Sequence, residues 1–188
     1  MIKIIRLLYI VIFSLISTLL IIVSLYTLKT FLFYSIFLLS LPSHKPFIAF
    51  VYHVIDGDTI KVFNLKTRKS LTIRFAGIDC PESVSYVQKA GLNAKYFTKK
   101  RIFLKFVIII PQTITYKDYS LQQHTKLYYD KYNRLIAYIF YDNGKCLNAN
   151  LVKNGLAIFK TYGHKQYCQN YLLRLEKQAI VKHINMWQ

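Results

Sequence analysis

Acidic side chains are scarce in this chain: 8 Asp and Glu stand against 26 Lys and Arg in 188 residues, a formal charge of +18. That imbalance points to an anionic partner, either a nucleic acid or an acidic membrane surface. Cysteine is equally sparse. Cys80, Cys146 and Cys168 are odd in number and form no CxxC spacing, which argues against a disulfide framework and against a thiolate zinc site. Few cysteines also favour a reducing compartment. Internal repeats and low-complexity tracts are absent, so the length suits one compact domain plus an appendage. Aromatic residues are not scarce. The 16 Tyr and 13 Phe suit a core, and Tyr beside Lys also suits stacking on nucleotide bases.

Charge is missing altogether from Leu7 to Leu28, "LLYIVIFSLISTLLIIVSLYTL". As a helix this run reaches roughly 33 Å, enough to cross a hydrocarbon core of about 30 Å. It is too long for the apolar core of a signal peptide, and no A-x-A cleavage pattern follows it. A soluble core helix is rarely apolar all round over such a length. The expectation is a single-pass membrane anchor over residues 7–28. "FLFYSIFLLSL", Phe31 to Leu41, is too short to span by itself; it either extends the first helix at a tilt or lies in the interface. The prolines of "LPSHKP", Leu41 to Pro46, mark a linker. The division is therefore an anchor and linker over 1–46 and a folded domain over 47–188.

From Phe47 the pattern turns to strands. "FIAFVYHVI", "IKVFNL" and "LTIRFA" are rich in β-branched and aromatic residues and are separated by "DGDT" and "KTRKS", which predicts a three-stranded meander. His53 falls on a strand face. "YVQKAGLNAKYFTKKRIF", Tyr86 to Phe103, has helical spacing, with Val87, Ala90, Ala94, Phe97 and Ile102 on one side and lysines opposite. "KFVIIIP" returns to strand. "KLYYDKYNRLIAYIFYDNG" reads as a strand pair around a polar loop from Asp130 to Arg134. "LNANLVKNGLAIF" reads as a short helix stopped by Gly155 and then a strand, and a final helix carries Leu172, Leu175, Ala179 and Lys182 at its spacing. The order fits an α+β domain: a small five-stranded barrel of the oligonucleotide-binding type with about three helices, behind an N-terminal transmembrane helix.

Four of the eight acids sit in two loops, "IDGDT" and "GIDCPE", each at the end of a strand of the same meander. Clustered carboxylates repel one another unless a cation or a proton offsets them. Oxygen donors without a His or Cys cluster suit a hard cation, calcium or magnesium. Arg74 stands just before the second loop and Arg134 follows the polar loop, and a guanidinium matches phosphate geometry. Metal-binding carboxylates, a further carboxylate for a water and two arginines together make phosphodiester hydrolysis machinery. The competing reading is ordinary turn chemistry, with Gly57 supplying a positive φ and Asp79 capping a turn.

The motifs "VIDGDTIKV", "IRFAGIDCPE", "GLNAKYFTKK", "DKYNRLIAYIF" and "LNANLVKNGLA", in this order and followed by "INMW", resemble the staphylococcal nuclease (thermonuclease) family over about Val51 to Trp187. The resemblance implies an oligonucleotide-binding barrel that cleaves DNA and RNA with calcium. By motif, Asp58 and Asp79 would be calcium carboxylates, and Cys80 would ligate through its backbone carbonyl. Glu82 would activate or position the water, Arg74 and Arg134 would bind and stabilise the phosphate, and Lys131, Tyr132 and Tyr162 would lie near the nucleotide. Asn133 stands where the family commonly has Gly, and Asn tolerates left-handed backbone. The stretch from Pro111 to Tyr129 is longer than usual. An anchor on such a domain is similar to the mitochondrial membrane endonucleases of fungi, which points to an organelle membrane. The alternative is a membrane-tethered barrel that binds nucleic acid or protein without cutting.

Overall fold

The structure, a computed structural model, describes residues 12–29, 46–82, 89–161 and 168–188. The chain divides into two compact units, Met1–Leu41 and Pro42–Gln188. In the first, helix α1 (Ile12–Lys29) has a mean hydropathy of 1.9 and the length to cross a membrane, a description that a signal sequence near the N-terminus also meets. Three of its hydroxyls bond within the helix: Ser17, Thr18 and Thr27 donate to the carbonyls of Ser14, Leu15 and Ser24 at 2.8–2.9 Å.

The second unit opens with β1 (Phe47–Val54), β2 (Thr59–Asn64) and β3 (Lys69–Phe75), paired antiparallel in turn. β4 (Ile78–Asp79), α2 (Lys89–Ile102) and β5 (Phe106–Pro111) follow. Then come the hairpin β6 (Thr113–Lys117) and β7 (Gln123–Leu127), the long strand β8 (Leu135–Tyr141) and β9 (Lys145–Cys146). The chain ends with α3 (Leu147–Lys153), β10 (Ile158–Phe159), α4 (Gln169–Val181) and a 3-10 turn at Asn185–Trp187. The main sheet runs β3-β2-β1-β5-β8, and β8 closes back on β3 to complete a five-stranded barrel. That last pairing is parallel, with Ile73 opposite Leu135 and Phe75 opposite Ala137.

Period-two alternation fills the barrel. Ala49 and Val51, Ile60 and Val62, Ile73 and Phe75, Val107 and Ile109, and Leu135, Ala137 and Ile139 are all buried. β8 is buried on both faces because α3 packs over its outside. Asn148 of α3 secures that contact. Its amide oxygen accepts the Ile139 N–H at 3.0 Å, and its amide nitrogen donates to Ala76 O at 2.9 Å and Ala137 O at 3.3 Å. Gly155 stops α3 with φ +58, and a Cβ there would also lie 2.1 Å from the Ile184 carbonyl oxygen.

Several expectations need correction. The helix expected from Tyr86 is described only from Lys89, since residues 83–88 lie outside the described residues, Val87 among them. The strand expected before the Asp130 loop pairs chiefly with β6, and only Tyr128 and Tyr129 reach β8. The extra length was therefore a hairpin of its own. Lys182 is exposed and lies just past the end of α4, whereas Leu172, Leu175 and Ala179 are buried as their spacing requires. Gly57 has no positive φ. Its need is space, because a Cβ there would lie 2.7 Å from Ala94 Cβ and 2.8 Å from Cys80 Sγ.

Candidate active site

β2 begins at the end of the "IDGDT" loop, and β3 runs antiparallel to it with Thr59 opposite Arg74. This register sets Asp58 beside Arg74 although 16 residues separate them. β3 then turns through Ala76 and Gly77 (φ +71) into β4, which pairs with β10 and brings Asp79 opposite Ile158. Two loops from different parts of the meander thus meet at one end of the barrel.

Arg74 joins them. One terminal nitrogen of its guanidinium donates to Asp58 Oδ1 and the other to Asp79 Oδ1. The Asp58 side chain is 1% exposed and that of Arg74 11%. Asp58 is further held by the Cys80 main-chain N–H, which donates to Oδ2 at 2.6 Å, and by the Thr59 hydroxyl at 3.1 Å. Lys160, just after β10, donates to Asp79 Oδ2 at 2.6 Å. Thr98 of α2 donates to the Gly57 carbonyl at 2.6 Å and ties the helix to the first loop.

Burial pushes the Asp58 carboxyl up to about 7; the Arg74 guanidinium pulls against that rise, and the nearby Asp56 adds to it. Asp79 behaves oppositely. Its partial burial raises the carboxyl, but the Lys160 hydrogen bond and the Arg74 charge outweigh it and hold the group below the usual carboxylate range. The Cys80 thiol is raised well above its ordinary value by burial, which keeps it protonated and inert.

The donor set tests the expected cation. Among the described residues no three His, Cys, Asp or Glu gather as a metal cluster. Two carboxylates do gather, each with an oxygen aimed at the same guanidinium. A buried carboxylate whose ionisation is opposed by desolvation is the site that a hard cation stabilises most, and calcium completes its shell with carbonyl and water oxygens. The residues present fit calcium on this chemistry.

The other expected residues are placed less centrally. Arg134 lies two positions before Ile136, the β8 partner of Arg74, and alternation puts it on the same outer side. Its guanidinium is held by Asp130 Oδ2, with Nε and a terminal nitrogen both at 2.6 Å. The Asp130 carboxyl also accepts the main-chain N–H groups of Tyr132 and Arg134 at 2.9 Å each. Partial burial raises the Asp130 carboxyl, but these Arg134 and Tyr132 bonds outweigh it and hold the group low. Asn133 takes the left-handed conformation, φ 60, that its side chain tolerates. Tyr132 is exposed, with Lys131 Nζ 5.0 Å and the Arg134 guanidinium carbon 5.1 Å from its ring centre.

Glu82 is exposed, the last described position before residue 83, and is not gathered with Asp58 and Asp79. Its main chain packs against α2, where a Cβ on Gly91 would meet the Glu82 carbonyl oxygen at 2.2 Å. Tyr162 lies outside the described residues. Lys160 was not anticipated. Nothing in its neighbourhood marks it, because its approach to Asp79 spans 81 residues and comes only from the β4–β10 pairing.

Comparison with known proteins agrees with this barrel. A family model described as "Staphylococcal nuclease homologue" matches residues 72–188. The chain is 33% identical over 140 residues to the thermonuclease of Staphylococcus hyicus, covering 73% of each chain. It is 27% identical over 161 residues to the micrococcal nuclease of Shigella flexneri, covering 81% of this chain and 80% of that one. It is 24% identical over 176 residues to a Schizosaccharomyces pombe protein titled "Probable endonuclease", covering 77% of this chain and 70% of that one. The chain belongs to the staphylococcal nuclease family.

Proposed function

We propose that this protein is a membrane-anchored, calcium-dependent endonuclease that hydrolyses phosphodiester bonds of DNA or RNA. The observation that carries the reading is the convergence of Asp58 and Asp79, from separate loops, on the single guanidinium of Arg74. Residues 1–46 form the anchor and linker and residues 47–188 the nuclease domain; α1 supports the first assignment by its length and apolarity.

Asp58, Asp79 and the backbone carbonyl of Cys80 hold the calcium ion, which when bound polarises a phosphoryl oxygen. Glu82 orients the attacking water and takes its proton. Arg74 and Arg134 stabilise charge on the phosphate as the bond breaks. Each guanidinium is engaged by carboxylate before substrate arrives, so substrate phosphate competes with Asp58 and Asp79 for Arg74 and with Asp130 for Arg134. Lys131, Tyr132 and Tyr162 hold the nucleotide, the tyrosines by stacking.

The test is cleavage of a labelled single-stranded oligonucleotide by the full chain in detergent, with calcium and with a chelator. Internal cleavage that needs calcium, and that falls at least a hundredfold in Glu82→Gln, is the expected result. Binding without products in calcium would replace this reading with a barrel that grips nucleic acid and does not cut. An unchanged rate in Arg134→Ala would remove that residue from the mechanism.

A further inference from the structure

The β6–β7 hairpin has no assigned role, yet its turn and its root are both held by specific bonds. From Thr115 to Leu127 every residue except Asp118 is exposed, so both faces of the ribbon meet solvent. Two strands alone are marginally stable. Asp118, one of the eight acids, holds the turn: its Oδ1 accepts the N–H groups of Ser120 and Gln122 at 2.9 Å each, and its Oδ2 meets His124 Nε2 at 2.8 Å.

Register puts Ile114 and Tyr116 on one face with their partners Lys126 and His124. There the Tyr116 and His124 rings stack at 5.6 Å, and Lys126 Nζ lies 5.1 Å from the Tyr116 ring centre. The root of the ribbon is fixed on the barrel, with Tyr128 N donating to Gln112 O at 2.9 Å and Ile136 N to Tyr128 O at 3.0 Å. The chain then enters the loop where Tyr132 lies beside Lys131 and Arg134. Two cation–aromatic groups therefore follow one another along a single stretch. The eight residue-to-residue steps from His124 to Tyr132 span at most about 28 Å, within reach of one short oligonucleotide.

We propose that this hairpin is an accessory arm that binds single-stranded nucleic acid beyond the cleavage site, stacking a base on the Tyr116–His124 face and setting a phosphate against Lys126. Aromatic faces alternating with cations are what sequence-tolerant strand binding uses. A membrane surface fits less well. The other face of the ribbon is Thr113, Thr115, Lys117, Gln123, Thr125 and Leu127, so its exposed apolar area is a single leucine at the root, with Tyr119 and Leu121 at the tip. The inference takes its ligand class from the nuclease reading, and the experiment separates the two.

Binding of labelled oligothymidylates of 20 and 6 nucleotides to the full chain in detergent, with chelator present, is measured by fluorescence anisotropy. Tyr116→Ala weakens binding of the longer strand about tenfold, the low end for loss of one stacked base, and leaves the shorter unchanged. Tyr116→Phe restores the affinity. Lys126→Gln lowers the slope of log affinity against log salt by about 0.7, one phosphate contact on a single strand. Equal affinity in all variants, equal loss on both lengths, or loss of binding to anionic vesicles with oligonucleotide binding intact would each overturn the arm. If the wild type binds the 20-mer through the hairpin but cuts nothing in calcium, the arm stands and the nuclease reading falls. If cutting depends on calcium while the hairpin variants bind like wild type, the nuclease reading stands and the arm falls.

Discussion

Cys80 donates its main-chain N–H to Oδ2 of Asp58 at 2.6 Å, across 22 residues of chain. The bond fastens the second acidic loop onto the first, and it explains why a cysteine serves at this position: the backbone makes the contact while the thiol fills space against Gly57.

Asp58→Ala removes that acceptor and leaves the buried Cys80 N–H and the Arg74 guanidinium without their partner at this position. Breaking such a buried pair costs on the order of 3–5 kcal/mol. Asp58→Asn keeps an acceptor oxygen and removes the charge, so it should unfold at a denaturant midpoint much closer to wild type. Both variants should bind calcium at least tenfold more weakly. Urea titration and calorimetry separate the two effects.

Gly57→Ala places a methyl group 2.7 Å from Ala94 Cβ and 2.8 Å from Cys80 Sγ. Overpacking of this kind costs about 1–3 kcal/mol. Because φ at residue 57 is not positive, the cost is steric alone, and Ala94→Gly in the same chain should recover part of it. If the double variant were no more stable than Gly57→Ala, the crowding would lie elsewhere.

Asn148→Leu removes three hydrogen bonds at a fully buried position and strands the Ile139 N–H and the Ala76 carbonyl. An unmade buried bond costs about 1–3 kcal/mol for each group. The variant should lose several kcal/mol, and hydrogen exchange should show the Ile139 amide losing protection with the global transition.

Asp130 has a folded pKa below its unfolded value of about 3.9, so the pair with Arg134 adds stability above that pH and loses it as pH falls through the lower folded value. The stability gap between wild type and Asp130→Asn should be flat from pH 5 to 8, and should close below about pH 4. Urea unfolding across that range measures it. A gap that widened in acid would reverse the sign assigned to the pair.

Much of the fold could be read locally. The period-two runs at Phe47–Val54, Thr59–Asn64 and Lys69–Phe75 became strands, and Leu172, Leu175 and Ala179 became the buried stripe of α4. Gly155 stopped α3 because a positive φ there is cheap only for glycine. The hairpin from Thr113 to Leu127 was not legible, since its polar, exposed strands lack the apolar alternation that marks a half-buried strand.

The candidate site was legible in part. The pairing of Asp58 with Asp79 followed from two acidic loops in one meander, and Arg74 from its place beside them. That Arg134 rests on Asp130, and that Lys160 reaches Asp79, did not follow from any spacing.

By itself the sequence determined most of the helices and strands, the apolar span, and which side chains are candidates for the chemistry, because periodicity and side-chain type act over a few neighbouring residues. Only the tertiary structure decided that β8 closes on β3 in parallel, that one guanidinium spans both carboxylates, and that Gly57 is needed for space and not for its backbone angle. Those outcomes depend on which surfaces of the chain are brought into contact, and residues far apart in sequence carry no local mark of the neighbour they will meet.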